Sequence, residues 1–298
     1  MPSEEKEKKK ESPVAKFVKL FLKILITFFC FWYISTKINF GNALQALTRA
    51  NLFYLLIALL FFILSKLLSA YRLNIYFSNI QLKLPAEKNI KLYWLGMFYN
   101  LFLPGAISGD AYKVVLLNRR YGTSYKKASA AVLLDRFSGV LALGVIGCIY
   151  GVIVLKHYYF DMLLIAGAIL AMAGFYFGIR FLFKDFQQSF FTTFFWGNGV
   201  QLSQVVSIYF ILLSLHLPIS HEWIFIFLAS AVISILPISL GGGLGTRELV
   251  FAEGSRLFHL DPQTGVVISL LFYLLTVVGS LPGLYFNFHD PLRDGERW

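Results

Sequence analysis

Eight charged side chains lie in or beside the apolar runs of this chain: Asp110, Lys113, Asp135, Arg136, Arg247, Glu248, Glu253 and Arg256. A charge at membrane depth is costly, so each of these groups requires a partner or a watery cavity. Asp110 and Lys113 are spaced i, i+3, as are Glu253 and Arg256, so each pair can meet on one helical face. Asp135 and Arg136 are adjacent in sequence and point apart on a helix. Arg247 and Glu248 raise the same problem, and cross-pairing of the two dyads would satisfy both. An arginine not consumed in such a pair would offer its planar fork of donors to a phosphate.

Two similar stretches carry these groups. F-L-P-G-A-I-S-G-D-A-Y-K runs from Phe102 to Lys113, and I-L-P-I-S-L-G-G-G-L-G-T-R-E from Ile235 to Glu248. Pro104 and Pro237 end one helix, and Gly105, Gly109, Gly241, Gly242, Gly243 and Gly245 let the backbone turn into another. The free N–H groups and dipole of each new helix start favour an anion. The candidate substrate-binding set is therefore these prolines and glycines together with Asp110, Lys113, Asp135, Arg136, Arg247 and Glu248. No catalytic residue, metal site or cofactor is assigned. The chain contains no H-E-x-x-H, G-x-S-x-G, D-D-x-x-D or G-x-x-x-x-G-K-[ST], and its five histidines lie near the ends of apolar runs.

The elements that position these residues belong to a membrane protein. Of the 298 residues 57% are hydrophobic, 17% aromatic and 14% charged, with a mean hydropathy of +0.67, more apolar surface than a soluble core hides. The formal charge of +11 is spread over short loops and an N-terminal tail, which fits anionic lipid rather than nucleic acid. Cys30 and Cys148 lie in apolar runs and read as small buried hydrophobes.

Residues 1–15 read as a disordered charged tail, 16–290 as one transmembrane domain and 291–298 as a short C-terminal tail. A first helix over 16–36 is uncleaved. Further spans are expected at Leu52–Tyr71, Ala128–Leu155, Tyr158–Phe183, Phe190–Leu217 and Gly265–Phe288, each about 20 residues or longer. Leu92–Leu103 and Trp223–Leu236 are too short to span and read as parts of re-entrant hairpins. Basic loops, with Arg72, Lys83, Lys88 and Lys91 on one and Arg119 to Lys127 on another, keep both ends of the first hairpin in the cytoplasm. The second then enters from the opposite face. The expected fold is all-α, with about six full transmembrane helices and two re-entrant hairpins in an inverted repeat, 52–155 against 190–288. Both termini lie in the cytoplasm, and the membrane is the inner one. Such repeats point to a transporter whose site is near the midplane, with the hairpin tips enclosing one polar cavity.

L-P-G-A-I-S-G-D-A-Y-K-V-V-L-L-N-R-R, A-A-V-L-L-D-R-F-S-G-V-L-A-L from Ala130 to Leu143, and L-P-I-S-L-G-G-G-L-G-T-R-E-L together resemble the lysylphosphatidylglycerol synthase transmembrane, or flippase-like, family. The resemblance covers nearly the whole chain after the tail. Relatives with synthase activity carry a soluble domain after the membrane part, whereas here only H-D-P-L-R-D-G-E-R-W follows the last helix. The resemblance implies the translocating module without aminoacylation chemistry. The expected function is a flippase for an anionic phospholipid or lipid-linked glycan. A channel or transporter for small anions is the alternative, and an intramembrane enzyme is a third. The partners are membrane lipids with anionic headgroups, no nucleic acid is involved, and a homo-oligomer is left open.

Overall fold

The computed structural model describes residues 48–102, 107–235 and 243–292, together with Phe21 and Trp32. The charged tail, nearly all of the expected first helix with Cys30, both hairpin tips and residues 293–298 lie outside the described residues. Within them the chain is helical, with no β-strand. In order, the helices are α1 (Leu52–Asn79), α2 (Ala86–Phe102), α3 (Ser108–Tyr121), α4 (Tyr125–Leu155), α5 (Tyr158–Leu182), α6 (Phe190–Ser214), α7 (His221–Ile235), α8 (Thr246–Leu257), α9 (Pro262–Ser280) and α10 (Pro282–Phe288). A 3-10 turn, Lys184–Ser189, precedes α6.

The boundaries follow cap chemistry. Asn51 accepts the Phe53 N–H at 3.0 Å and opens α1, and Asp261 accepts the Thr264 N–H at 2.9 Å to open α9 behind Pro262. α3 closes on Gly122, whose φ of +64° is the left-handed conformation glycine adopts freely.

Among the described residues, four stretches are long and apolar enough to cross a membrane: Leu52–Asn79, Tyr125–Leu155, Tyr158–Leu182 and Pro262–Phe288. The last contains a break at Leu281, where Pro282 cannot continue the hydrogen-bond ladder. α6, with 25 residues, has the length of a span, but Asn198, Gln201 and Gln204 make it more polar than these four. The described residues thus show a multi-pass helical membrane architecture.

α1 and α6 form the central antiparallel pair. Ser207 Oγ donates to the Ala58 carbonyl at 2.8 Å, and Tyr76 Oη to Thr193 Oγ1 at 3.0 Å toward the other end. Around this pair the contacts come in matched sets. α2 packs on α3 as α7 packs on α8, and α3 packs on α4 as α8 packs on α9. α4 packs on α6 and α7, while α9 packs on α1 and α2. The Trp94 indole N–H, donating to the Gly279 carbonyl at 3.0 Å, pins α2 to α9. α5 stands at the edge, touching α4 and the 3-10 turn, with side chains such as Leu163 and Leu170 exposed as a lipid-facing helix requires.

Candidate functional site

The first helix pair is built around two glycines. A Cβ on Gly109 would collide with the backbone carbonyl of Gly96, and one on Gly96 would collide with the Lys113 side chain. The pair is therefore antiparallel and close, with the Gly109 N–H donating to Asn100 Oδ1 at 2.9 Å. One residue on, Asp110 is buried and binds two cations. Lys113 Nζ lies 3.0 Å from one carboxylate oxygen, and the Arg136 guanidinium of α4 donates to the other. Lys113 Nζ also sits 4.6 Å from the centre of the Tyr93 ring.

The second pair turns on Gly243 and Gly245, with φ of +91° and +86°. Only glycine takes such angles without strain. Glu248, 1% exposed, accepts the Gly245 N–H at 2.7 Å and the Ser269 hydroxyl of α9 at 2.9 Å. Asp110 and Glu248 thus occupy the third residue of α3 and of α8, and each ties its helix to the next long one. Arg247, 7% exposed, has no acidic partner among the described residues. Its guanidinium carbon lies 4.6 Å from the centre of the Phe272 ring and 5.7 Å from that of Phe227, and its Nε is buried without a hydrogen bond.

Cross-pairing of the dyads does not occur. Asp135 binds Arg72 Nε at 2.7 Å, and Arg136 turns to Asp110. The reason lies in α1, which continues past Tyr71 and carries Arg72 into the bundle instead of ending in a basic loop. Arg72 is 4% exposed and is wedged against Gly139 and Gly197, which leave room for its guanidinium. The expected Glu253–Arg256 pair forms at 2.6 Å on the surface. Pro104, Gly105, Pro237, Gly241 and Gly242 lie outside the described residues.

Sequence reasoning assigned Arg72 to a loop and passed over Lys66. The signal was present: Lys66 is the one charge inside F-F-I-L-S-K-L-L-S-A. It stands 14 residues into a 28-residue helix, about 21 Å along at 1.5 Å per residue. Its ammonium sits 4.5 Å from the centre of the Phe62 ring and feels the charges of both Arg247 and Arg72. Arg72, Lys113 and Arg247 are buried with Asp110, Asp135 and Glu248, and the half-buried Lys66 and Arg136 beside them make the set net cationic.

Residues 20–283 match the family model of the lysylphosphatidylglycerol synthase TM region. The chain belongs to this family. The chain is also similar to a UPF0104 membrane protein of Pyrococcus horikoshii, 25% identical over 128 residues. That match covers 42% of this chain and 37% of the relative's length. The family match spans both helix pairs and every charged residue of the buried set, which makes that set part of a lipid-related membrane module.

Proposed function

We propose that the protein is a transporter rather than an enzyme, and that it carries an anionic amphiphile, a phospholipid or a lipid-linked glycan, between leaflets of the cytoplasmic membrane. The observation that carries this reading is the set of charges, six of them buried and two half-buried cations beside them, inside an otherwise apolar helix bundle. Lipid-facing hydrocarbon offers nothing to stabilise such charges, whereas a headgroup path does. In this reading α2–α3 and α7–α8 are re-entrant hairpins entering from opposite sides, as the paired contacts around α1 and α6 support. Their tips enclose a shared midplane cavity, and residues 16–290 act as one transmembrane domain with both termini cytoplasmic. Family membership supports a lipid-related role, and no acid or nucleophile of the set is left free for covalent chemistry.

Reconstitution into liposomes holding trace amounts of tail-labelled lipids tests the reading. The expected result is protein-dependent movement of anionic lipids between leaflets, read by reduction of the label from outside. Movement no faster than in protein-free liposomes across a panel of anionic lipids and lipid-linked glycans would overturn it, and chloride or phosphate flux in its place would favour a small-anion pathway.

A further inference from the structure

These charges divide into two kinds. Arg72 with Asp135, and Lys113 and Arg136 with Asp110, are ion-paired, although Arg72 Nη1 is buried without a hydrogen bond. Lys66 and Arg247 have no carboxylate within ion-pair distance among the described residues, and neither makes a side-chain hydrogen bond there. Both nevertheless rest on one aromatic unit. Lys66 caps Phe62, Arg247 caps Phe272, and the two rings meet edge to face with centroids 5.6 Å apart. One cation comes from the middle of α1 and the other from the first turn of α8. A cation held on an aromatic face keeps its charge but lacks an acceptor, and a buried guanidinium Nε without a partner is an unmet donor.

An apolar groove lies beside the Phe62 ring. It is lined by Leu59, Ile63, Trp94, Gly279, Pro282 and Phe286 and has a volume of about 360 Å³. That lies within the range of ligand pockets, about 300–1,000 Å³. Ile63 and Leu59 lie one and two turns from Lys66 along one face of α1, and Gly279 packs directly on the Phe62 ring. A free anion has no use for this groove, whereas a hydrocarbon tail attached to the anion does.

We propose that Lys66 and Arg247 are the anion-holding pair for a phospholipid, binding its phosphate while one acyl chain lies in the groove bounded by Ile63, Trp94 and Gly279. The three paired cations then position helices and leave the headgroup to these two. This rests on the transport reading for its substrate class, but binding is measurable without transport.

Binding of tail-labelled phosphatidic acid to the detergent-solubilised full chain tests the site. Lys66→Gln and Arg247→Gln each weaken binding about tenfold or more, the worth of a charge-assisted contact. Arg256→Gln, on the surface, leaves it unchanged. Ile63→Trp, which fills the groove, weakens phosphatidic acid binding, and inorganic phosphate competes poorly with the lipid in the native chain. Because Lys66 and Arg247 are unpaired in the ligand-free protein, their removal leaves its melting temperature unchanged or higher. A lowered melting temperature would assign them to structure and overturn the proposal, as would native affinity in both glutamine variants. Phosphate binding as tight as lipid binding, and indifferent to Ile63→Trp, would overturn the lipid as occupant. Binding that behaves as expected in a protein that moves no lipid would sink the transport reading alone. Transport with native lipid affinity in both variants would sink this site alone.

Discussion

Within the buried set, partner and distance separate residues that one sequence pattern had grouped. Arg72 and Asp135, 4% and 7% exposed and 2.7 Å apart, hold each other out of water. Removing one partner leaves the other as an uncompensated buried charge, so Asp135→Asn should lower stability by about 3–5 kcal/mol. Replacing both together, Arg72→Met with Asp135→Leu, should restore most of that loss, since an apolar pair of similar volume is often no worse than a buried ion pair. Chemical denaturation in micelles measures both, and equal losses in the single and double variants would mean the pair is not closed. The exposed Glu253–Arg256 pair gives the contrast: Arg256→Gln should cost less than about 1 kcal/mol. The two kinds of pair look alike in sequence. Asp110–Lys113 and Glu253–Arg256 share the i, i+3 spacing, yet one is buried and the other is not. Spacing shows that two groups can meet and says nothing of what covers them. Arg72 was misplaced for a related reason. Its partner lies 63 residues away, and no local pattern contains that contact.

At the scale of elements, close packing of α2 on α3 depends on a backbone contact. The Gly109 Cα faces the Gly96 carbonyl with no room for a methyl group. Gly109→Ala should therefore force α3 away from α2, break the Asn100 contact to the Gly109 N–H and cost on the order of 1–3 kcal/mol, as overpacking does. Gly167→Ala in α5, where an added Cβ meets nothing within 4 Å, should be neutral or gain about 1 kcal/mol from helix propensity. Melting temperatures of the two variants compare them directly, and equal values would mean the α2–α3 contact is slack. Sequence reading singled out Gly109 as a place where the backbone turns. The structure gives a different cause, a helix crossing. Helix existence was legible throughout because apolar runs bounded by caps and prolines are local features, and α4 and α5 begin and end within three residues of the expected limits. α1 runs eight residues past its expected end because Arg72 and Asn79 have partners across the bundle and Asn74 bonds the Leu84 carbonyl of the following connection, so polarity there marks contacts and not a loop.

Across the whole molecule, the two ends differ in charge, and the positive-inside rule turns that difference into an expected orientation. One end gathers the end of α1, where Asn79 donates to Ser189 at 2.5 Å, with Arg119 and Arg120 closing α3. Arg120 binds Asp290 beyond α10 there, and Lys126, Lys127 and Lys184 line one recess. The other end gathers the start of α1, where the Asn51 N–H donates to the Ser214 carbonyl at 2.8 Å, with Glu222 and with His221, whose ring lies 5.8 Å from Tyr150. Basic residues near span ends stay in the cytoplasm, so the first end should face inward and α2–α3 should both enter and leave on that side. In the proposed inverted repeat, with which the matched contacts around α1 and α6 agree, α7–α8 should enter from the outside. With Cys30 and Cys148 replaced by serine, Ser124→Cys, exposed before α4, should react with a membrane-impermeant thiol reagent only when the cytoplasmic face is open. Tyr159→Cys, at a position 76% exposed at the start of α5, should react only from outside. Labelling of both from one side would mean α4 does not cross, and the inverted arrangement would fall with it. The reverse pattern would keep the repeat and turn the molecule over, placing its basic end outside and removing the charge argument for anionic lipid at the cytoplasmic face.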